Sequence, residues 1–382
     1  MVYILSAKRT PIGVFLKTYP QYSAVDLGTV ALTSAIESAG IDASQIQDVI
    51  FGQVLTAGQG QNPARLTALK SGIDTSVSAM TINQVCGSGL RAVILGVQSI
   101  KDGLDCVAVG GQESMTNAHF SAHYDRKADT KDVSILKDTV QRDGLVCGVN
   151  NYHMGVTAEN LAEKYAISRY EQDAFAIASQ QKTKQAQSNG AFDNEIVETF
   201  SVSKDMFPRP NVTMEDLAEL KTVFKKEGGT VTPGNASGIN DGAVGIILAS
   251  ENFVQNNNVK PLAKIVSYGL GGTDPSIMGI APVLAVNNAL EKAGWTIDDL
   301  DLIESNEAFS TQSIAVNTVL GWNTDKVNIH GGAIALGHPI GASGARILTT
   351  LVHAMHRHDK KKGLATLCVG GGMAVAICIE VV

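Results

Sequence analysis

Short apolar stretches alternate along this chain with longer segments in which apolar and polar residues are mixed. The apolar stretches, among them 1–5, 107–111 and 242–248, resemble strands that are buried on both faces of a sheet. The clearest helical segments are 155–165 and 168–190, and the second opens with a Ser-x-x-Glu capping box. This alternation predicts an α/β protein whose central strands are mostly parallel.

Four short sequences near the start of the chain recur in the same order near its end. The matched pairs are 35–40 with 289–294, 48–53 with 301–306, 88–91 with 343–346, and 107–111 with 367–371. The offset is therefore nearly constant, between 253 and 260 residues. We infer an internal duplication in which each copy forms one α/β unit.

The segment between the two copies is charged and rich in helix formers, which predicts an insertion into the first copy. The first copy spans 1–118 and resumes at 234–255, the insertion spans 119–233, and the second copy spans 256–382. We expect the insertion to cover the functional site.

Cys86 follows an extended run at 79–85 and precedes a helix that is predicted to begin near Leu90. The dipole and free N–H groups of a helix N-terminus lower a thiol pKa, which favours a nucleophilic thiolate. A buried structural cysteine is the alternative. Residues 87–92 also fit a dinucleotide-binding fingerprint, but that motif needs an acidic residue that closes the next strand, whereas Asp105 precedes it. The sequence therefore favours a nucleophile.

Two more side chains are candidates for chemistry. His338 lies in a glycine-dense loop at 331–339 and precedes a proline, which suits a fixed general base, although a structural histidine is the alternative. Asn306 directly follows a buried strand, at the position of Gln53 in the repeat, where α/β proteins place functional groups. A capping asparagine is equally compatible with that position. No histidine is accompanied by a second ligand set, so no metal site is predicted.

Composition narrows the possible partners. The chain has 382 residues, 44% of them apolar and 18% charged, which is enough for a large core and more than one folding unit. A net charge of −7 argues against nucleic acid or an anionic membrane as a partner. Five cysteines without paired spacing predict no disulfide framework. Because the first residues already read as a strand, no targeting segment is expected, and a cytoplasmic location is predicted.

Four motifs together resemble the signatures of the thiolase family. They are 86–89 (Cys-Gly-Ser-Gly), 306–309 (Asn-Glu-Ala-Phe), 337–339 (Gly-His-Pro) and 368–372 (Cys-Val-Gly-Gly-Gly), with a further likeness at 235–242. The resemblance runs from Lys8 to the C-terminus. It implies a duplicated thiolase-like α/β fold, with two mixed sheets in a layered αβαβα arrangement and an inserted loop domain. It also implies a homotetramer or a homodimer.

The resemblance further implies a role for each reacting residue. Cys86 would take an acyl group from a coenzyme A thioester, and His338 would withdraw its proton. Cys368 would move the α-proton of the second thioester, for which an ordinary thiol pKa of about 8.5 is suitable. Asn306 would hold a water that stabilises the enolate oxygen. The backbone N–H groups of Cys86 and Gly370 would form the other oxyanion hole.

The resemblance implies that the insertion holds coenzyme A and that residues outside the insertion also contact it. The corresponding positions are Leu145, His153, Met154, Arg209, Ser237, Met278 and Phe309. Met278 would narrow the acyl pocket, and Arg209 would meet the nucleotide phosphates.

The implied reaction is the reversible condensation of two acetyl-CoA molecules to acetoacetyl-CoA and free CoA through an acetyl-cysteine intermediate. The CoA thioesters would be substrates, and no cofactor is expected. The alternative is a degradative 3-ketoacyl-CoA thiolase that prefers longer chains. Another condensing enzyme of the superfamily would carry a second histidine or a glutamate where this chain has Cys368 and Asn306. A non-catalytic acyl-carrier or lipid-binding relative is the remaining alternative, and it would need neither the cysteine pair nor the histidine.

Overall fold

The computed structural model describes residues 1–127 and 130–382. The strands are β1 (Val2–Arg9), β2 (Gly13–Val14), β3 (Asp48–Gly52), β4 (Ser78–Ile82), β5 (Cys106–Ser114), β6 (Phe120–Asp125), β7 (Thr130–Asp138), β8 (Asn240–Ser250), β9 (Ala263–Gly272), β10 (Leu302–Ser305), β11 (Lys362–Val369) and β12 (Met373–Val381). The α-helices are α1 (Ala24–Ala39), α2 (Pro63–Lys70), α3 (Ser88–Lys101), α4 (Met154–Tyr165), α5 (Arg169–Ser188), α6 (Met214–Ala218), α7 (Glu251–Asn257), α8 (Pro282–Ala293), α9 (Ser310–Leu320), α10 (Ala333–Leu336) and α11 (Ile340–Arg357).

The helix ends confirm local predictions from the sequence. Helix α5 is capped by Ser168, whose side chain accepts from the backbone N–H of Glu171 in the predicted capping box. Helices α1 and α8 end at Gly40 and Gly294, and both glycines have φ of 67°. Glycine adopts this left-handed conformation at little cost, so the repeated Ala-Gly pair ends the same helix in both copies.

One mixed sheet runs through the whole molecule in the order β10-β11-β12-β9-β1-β8-β5-β3-β4, with β2 paired to β8. Strands β1 and β9 join its two halves through only two residue pairs, Tyr3 with Lys264 and Ile4 with Ala263. The two sheets implied by the resemblance are thus present as halves of a continuous ten-stranded sheet.

The helices complete a layered α/β architecture. Helices α3 and α11 share one buried cluster with residues of both sheet halves, so they form the central layer. Helix α1 packs on the outer face of the first half and α8 on the outer face of the second. Strand β3 corresponds to β10, β5 to β11 and α3 to α11, as the repeat predicts. The fold class is confirmed.

The predicted insertion contains the β6–β7 hairpin and helices α4 to α6. It is tied to the first strand by Arg9, whose buried guanidinium contacts Glu195 at 2.7 Å and Asp205 at 2.7 Å. The division into two copies and an insertion at the stated boundaries stays a prediction. Within the described ranges, no helix is long and apolar enough to cross a membrane.

Candidate active site

A cavity of about 410 Å³ opens where the insertion meets the two copies. Nine of the predicted site residues line it: Cys86, Leu145, His153, Met154, Arg209, Ser237, Met278, Phe309 and His338. Leu145 ends a π-helical turn at Val140–Leu145, a conformation that is frequent at functional sites. Cys368 and Asn306 are buried behind the cavity, and Gly370 follows the strand that carries Cys368.

Cys86 lies in the turn between β4 and α3. Its neighbour Val85 has φ of 47°, a conformation that costs a β-branched residue free energy and is typical of functional turns. Ser88 stabilises the turn by accepting from the Gln84 N–H at 2.9 Å and donating to the Val85 carbonyl at 2.7 Å. Any side chain at Gly87 would meet a Val369 methyl at 2.8 Å, so glycine here lets the turn approach β11. The fold thus brings the nucleophile turn of one copy against the other.

The thiol of Cys86 is protonated at rest, which corrects the expectation of a lowered pKa. Its hydrogen bonds with the backbone N–H groups of Gly370 and Cys86 itself favour the thiolate, but burial dominates and raises the Cys86 pKa to about 11. The Glu113 carboxylate raises it further. These two N–H groups are the ones expected to form an oxyanion hole, and they lie at the reacting sulfur. A nearby base is needed to remove the proton.

His338 has the geometry of such a base. Its Nδ1 lies 2.5 Å from the Ser343 hydroxyl, which donates to the Pro339 carbonyl at 2.9 Å. The hydroxyl proton is committed to that carbonyl, so Nδ1 carries the imidazole proton and Nε2 keeps its lone pair. Nε2 has no hydrogen-bond partner among the described residues. Burial, followed by the charge of Arg346, lowers the His338 pKa to about 4, so the imidazole is neutral near pH 7.

Two neighbours hold the His338 backbone in place. Gly337 has φ of 105°, and a Cβ there would clash with the Asn240 side chain at 2.5 Å. The Asn240 oxygen accepts from the His338 N–H at 2.9 Å. The glycine is therefore required both by backbone conformation and by close contact.

Cys368 lies near the end of β11, directly across the β11–β12 hairpin from Ala374. It is fully buried in a cluster with Met154, Met278 and Phe309. Burial and the proximity of Cys86 raise its pKa, so the ordinary thiol value expected from the sequence is wrong. The electrostatic influence of Cys86 places both sulfurs at the same site. A thiolate formed here would be a strong base.

Asn306 is fully buried after β10, and its backbone N–H donates to Thr366 of β11 at 3.0 Å. Its side-chain oxygen accepts from the Arg346 guanidinium at 3.4 Å. Its Nδ2 group has no hydrogen-bond partner in the described part of the chain. A buried donor without a partner costs about 1–3 kcal/mol, so Nδ2 is a candidate for binding water or substrate.

The walls of the cavity are largely apolar, and sequence reasoning missed part of them. Phe224 stacks on the His153 ring with centroids 4.5 Å apart, and burial lowers the His153 pKa. The Arg209 guanidinium lies over Phe207 at 5.2 Å, and burial lowers its pKa. Neither phenylalanine belongs to a motif, although aromatic residues in an otherwise charged insertion are a usable signal.

Glu113 and Arg346 were also missed. Glu113 accepts from the backbone N–H groups of Val54, Leu55 and Gly341, which ties the Cys86 side of the site to the start of α11. Burial raises its pKa to about 7. Both are ionisable residues inside or at the end of an apolar run, a pattern that is visible in the sequence. Such residues are rarely buried without a structural or functional role.

Comparisons with known proteins agree with this geometry. The family model described as the thiolase N-terminal domain matches residues 2–252, and the thiolase C-terminal domain matches 259–381. An acetyl-CoA acetyltransferase from Paracoccus denitrificans is 50% identical over 99% of this chain and 98% of its own length. One from Allochromatium vinosum is 49% identical with the same coverage.

Solved structures show the same likeness. A thiolase from Ascaris suum in complex with coenzyme A has a TM-score of 0.94 and 42% identity, with 100% of both chains covered. An acetyl-CoA acetyltransferase from Bacillus anthracis has a TM-score of 0.96 and 39% identity, covering 100% of this chain and 98% of its own.

Proposed function

This chain is a member of the thiolase family, and we propose that it is an acetyl-CoA C-acetyltransferase that reversibly condenses two acetyl-CoA molecules to acetoacetyl-CoA and CoA. The observation that carries the proposal is the Cys86 thiol, which contacts two backbone N–H groups in the same cavity as the free Nε2 of His338. Such an arrangement provides a nucleophile, a base and an oxyanion hole together.

In the first step, Cys86 attacks the thioester carbonyl of acetyl-CoA. His338 Nε2 takes the thiol proton, and the N–H groups of Cys86 and Gly370 stabilise the oxyanion of the tetrahedral intermediate. The carbon–sulfur bond to CoA then breaks, and the leaving thiolate takes up a proton. The acetyl group is now a thioester of Cys86.

In the second step, Cys368 passes its thiol proton to His338 Nε2, which is free again once the CoA thiolate has been protonated, and the resulting Cys368 thiolate removes an α-proton from a second acetyl-CoA. The resulting enolate is stabilised by His338 and by a water held on Asn306 Nδ2. Its carbon attacks the acetyl carbonyl, a carbon–carbon bond forms, and the bond to Cys86 breaks. The Cys86 sulfur takes the proton from His338, which restores the thiol and the neutral imidazole.

The dimensions of the cavity favour a short acyl group. Met278 is 3% exposed and packs with Met154 and Phe309 around Cys368, so bulky side chains occupy the space beside the reacting sulfurs. Leu145, His153 and Ser237 line the remainder of the cavity, where the pantetheine would lie. Arg209 would meet the phosphates. Lys225 is less suited to that task because it pairs with Glu163 at 3.4 Å.

The proposal includes a homodimer or homotetramer located in the cytoplasm and acting in lipid metabolism. Strand β4 ends the sheet, and Met80 on this strand is 44% exposed. An open edge with apolar side chains invites pairing with another chain, which supports an oligomer. Light scattering after gel filtration tests this, and a monomer at micromolar concentration would contradict it.

The activity is tested by mixing the protein with acetyl-CoA and quantifying acetoacetyl-CoA and CoA by mass spectrometry. Thiolysis of C4 and C8 3-ketoacyl-CoA is measured in parallel, with Cys86→Ser as the control. We expect condensation in wild type, none in Cys86→Ser, and at least about a tenfold preference for C4. A preference for C8 would support the degradative alternative, and absence of both reactions in folded protein would contradict the family chemistry.

A further inference from the structure

Arg346 is a buried arginine in the middle of α11, and its guanidinium contacts one of the expected catalytic groups. It is 1% exposed, which is rare for arginine. Its Nη1 lies 3.3 Å from the Glu304 carboxylate, and its Nη2 lies 3.4 Å from the Asn306 oxygen. Glu304 and Asn306 lie within two residues of each other at the end of β10. One guanidinium therefore spans a charged partner and a neutral amide.

The contact fixes which end of the Asn306 amide is available for chemistry. A guanidinium has donors only, so the amide atom that faces it must be the oxygen. Rotating the amide by half a turn would place two donors against each other. The remaining group, Nδ2, has no partner among the residues that the structure describes. Arg346 thus leaves Asn306 with a free donor rather than a free acceptor.

The charge of Arg346 also acts on His338, another of the expected catalytic residues. Arg346 lowers the pKa of His338, whose imidazole stays neutral with its Nε2 lone pair available. On the other side, Glu304 lies near Glu195, Glu307 and Lys182. Burial and the nearby carboxylates raise the pKa of Glu304, and the Arg346 charge opposes this.

We propose that Arg346 is a positioning residue for the condensation step, which holds the Asn306 amide so that its Nδ2 donates to the water that stabilises the enolate. The inference rests on the proposed function, because it assigns Asn306 to the second half-reaction. Structural needs alone do not explain the arrangement. At the matching position of the first copy, Gln53 is held by the neutral amide of Gln112 and the carbonyl of Leu55, without a buried charge.

The test separates the two half-reactions. Acetylation of Cys86 is followed by intact-protein mass in a single turnover, and condensation by product formation under steady state. For Arg346→Met we expect condensation to fall about 10- to 100-fold, up to the lower end of the roughly 100- to 1,000-fold loss for a removed oxyanion donor, while acetylation falls less than about fivefold. Glu304→Gln is the matched control, because it removes the ion partner and leaves the guanidinium against Asn306. Its ratio of condensation to acetylation should stay within about threefold of wild type.

A double-mutant cycle with Asn306→Ala gives the decisive result. If Arg346 acts through Asn306, adding Arg346→Met to Asn306→Ala causes no further loss of condensation. Additive losses, or equal losses in both half-reactions, would overturn the proposal. If the Arg346→Met protein does not fold because Glu304 is left unpaired, the double variant Arg346→Met/Glu304→Gln is measured in its place. Arg346→Lys is measured as a third variant.

A pH profile provides a readout that a merely structural role would not change. In wild type the acidic limb of acetylation should lie near pH 4, and removal of the Arg346 charge should shift it upward by raising the His338 pKa. An unshifted limb would contradict the electrostatic part of the proposal. If wild type itself forms no acetyl-enzyme, the proposed function fails, whereas failure of the cycle in an active enzyme removes only the role of Arg346.

Discussion

Gln53 and Asn306 occupy the same position in the two copies of the repeat, yet only one is prepared for chemistry. Both follow a strand with a parallel neighbour, β3 or β10, and both are fully buried. The Gln53 amide donates to Leu55 at 3.0 Å and accepts from Gln112 at 2.9 Å, so each end has a partner. Asn306 has a partner on its oxygen and none on its Nδ2. The first copy uses this position to hold the fold, and the second leaves a buried donor free.

The same contrast extends to the loops around these strands. The first copy contributes Cys86, which is placed by a turn that Ser88 ties together through hydrogen bonds to Gln84 and Val85. The second contributes His338, Cys368 and Asn306, of which two have an unpartnered nitrogen. The two copies therefore share a symmetric fold, and two of the expected catalytic residues of the second copy, His338 and Asn306, have buried nitrogens without partners.

The largest expected effect comes from Cys368, the base that the second copy contributes. Cys368→Ala should still be acetylated by acetyl-CoA, because Cys86, His338 and the backbone N–H groups remain. Condensation should fall by about 10³-fold or more, the loss typical of a general base. The ratio of product formation to acetyl-enzyme formation measures this.

The matched control for that variant is Cys378→Ala, which removes a buried cysteine from the neighbouring strand β12. It should lower stability with little change in the ratio. Failure of a folded Cys368→Ala protein to acetylate would contradict the division of labour between the two cysteines.

Alanine at the two repeat positions should have opposite consequences. Asn306→Ala should lower condensation about 100-fold, and it should lower the free energy of unfolding less than Gln53→Ala does, because it removes one long hydrogen bond, from Arg346 at 3.4 Å, and none from Nδ2. Gln53→Ala should lower the free energy of unfolding by about 1–3 kcal/mol, because it leaves Nε2 of the buried Gln112 without its acceptor. Denaturant unfolding and the two half-reaction rates measure both variants. If both variants lost activity and stability to the same extent, the difference in hydrogen bonding between Gln53 and Asn306 would have no role in function.

A smaller effect is expected for the acyl pocket, to which the second copy contributes Met278. Met278→Ala removes a buried side chain next to Phe309, and the space should admit longer acyl groups. We expect the C6-to-C4 thiolysis ratio to rise about tenfold, the usual value of a few methylene contacts. An unchanged ratio would place chain-length selection elsewhere in the cavity.

The smallest effect is expected from pH. The His338 pKa is depressed to about 4, so the imidazole is a neutral base at all higher pH values. Acetylation should therefore change less than about twofold between pH 7 and pH 5.5, and fall only as pH approaches 4. Single-turnover mass measurements give the profile. A midpoint near 6.5 would show that His338 titrates like a solvent-exposed histidine.

The duplicated α/β fold and most residues of the candidate site could be predicted from the sequence. The repeat paired 35–40 with 289–294, where equivalent helices end at Gly40 and Gly294, and the motifs included Cys86 and His338, which the structure brings into one cavity. These features are local, because a cap, a turn glycine or a strand end depends on neighbours in sequence. The catalytic and binding roles of the residues stay predictions.

The features that the sequence did not predict depend on contacts between residues far apart in the chain. The helix N-terminus suggested a lowered Cys86 pKa, but burial raises it, and Cys86 packs against residues distant in sequence such as Leu55, Met115 and Ile340. The two-residue joint between β1 and β9 depends on how the copies dock, which short-range patterns do not encode. Arg346 was visible in the repeat as Ser-Gly-Ala-Arg, yet its contact with Asn306 lies between segments 40 residues apart.

The most direct test of the account is intact-protein mass after mixing with acetyl-CoA, run beside Cys86→Ser. We expect a gain of one acetyl group in wild type, located on Cys86, and no gain in the variant. A folded wild-type protein that gains no acetyl group, or a Cys86→Ser protein that gains the same thiol-bound group, would contradict the assignment of Cys86 as the nucleophile.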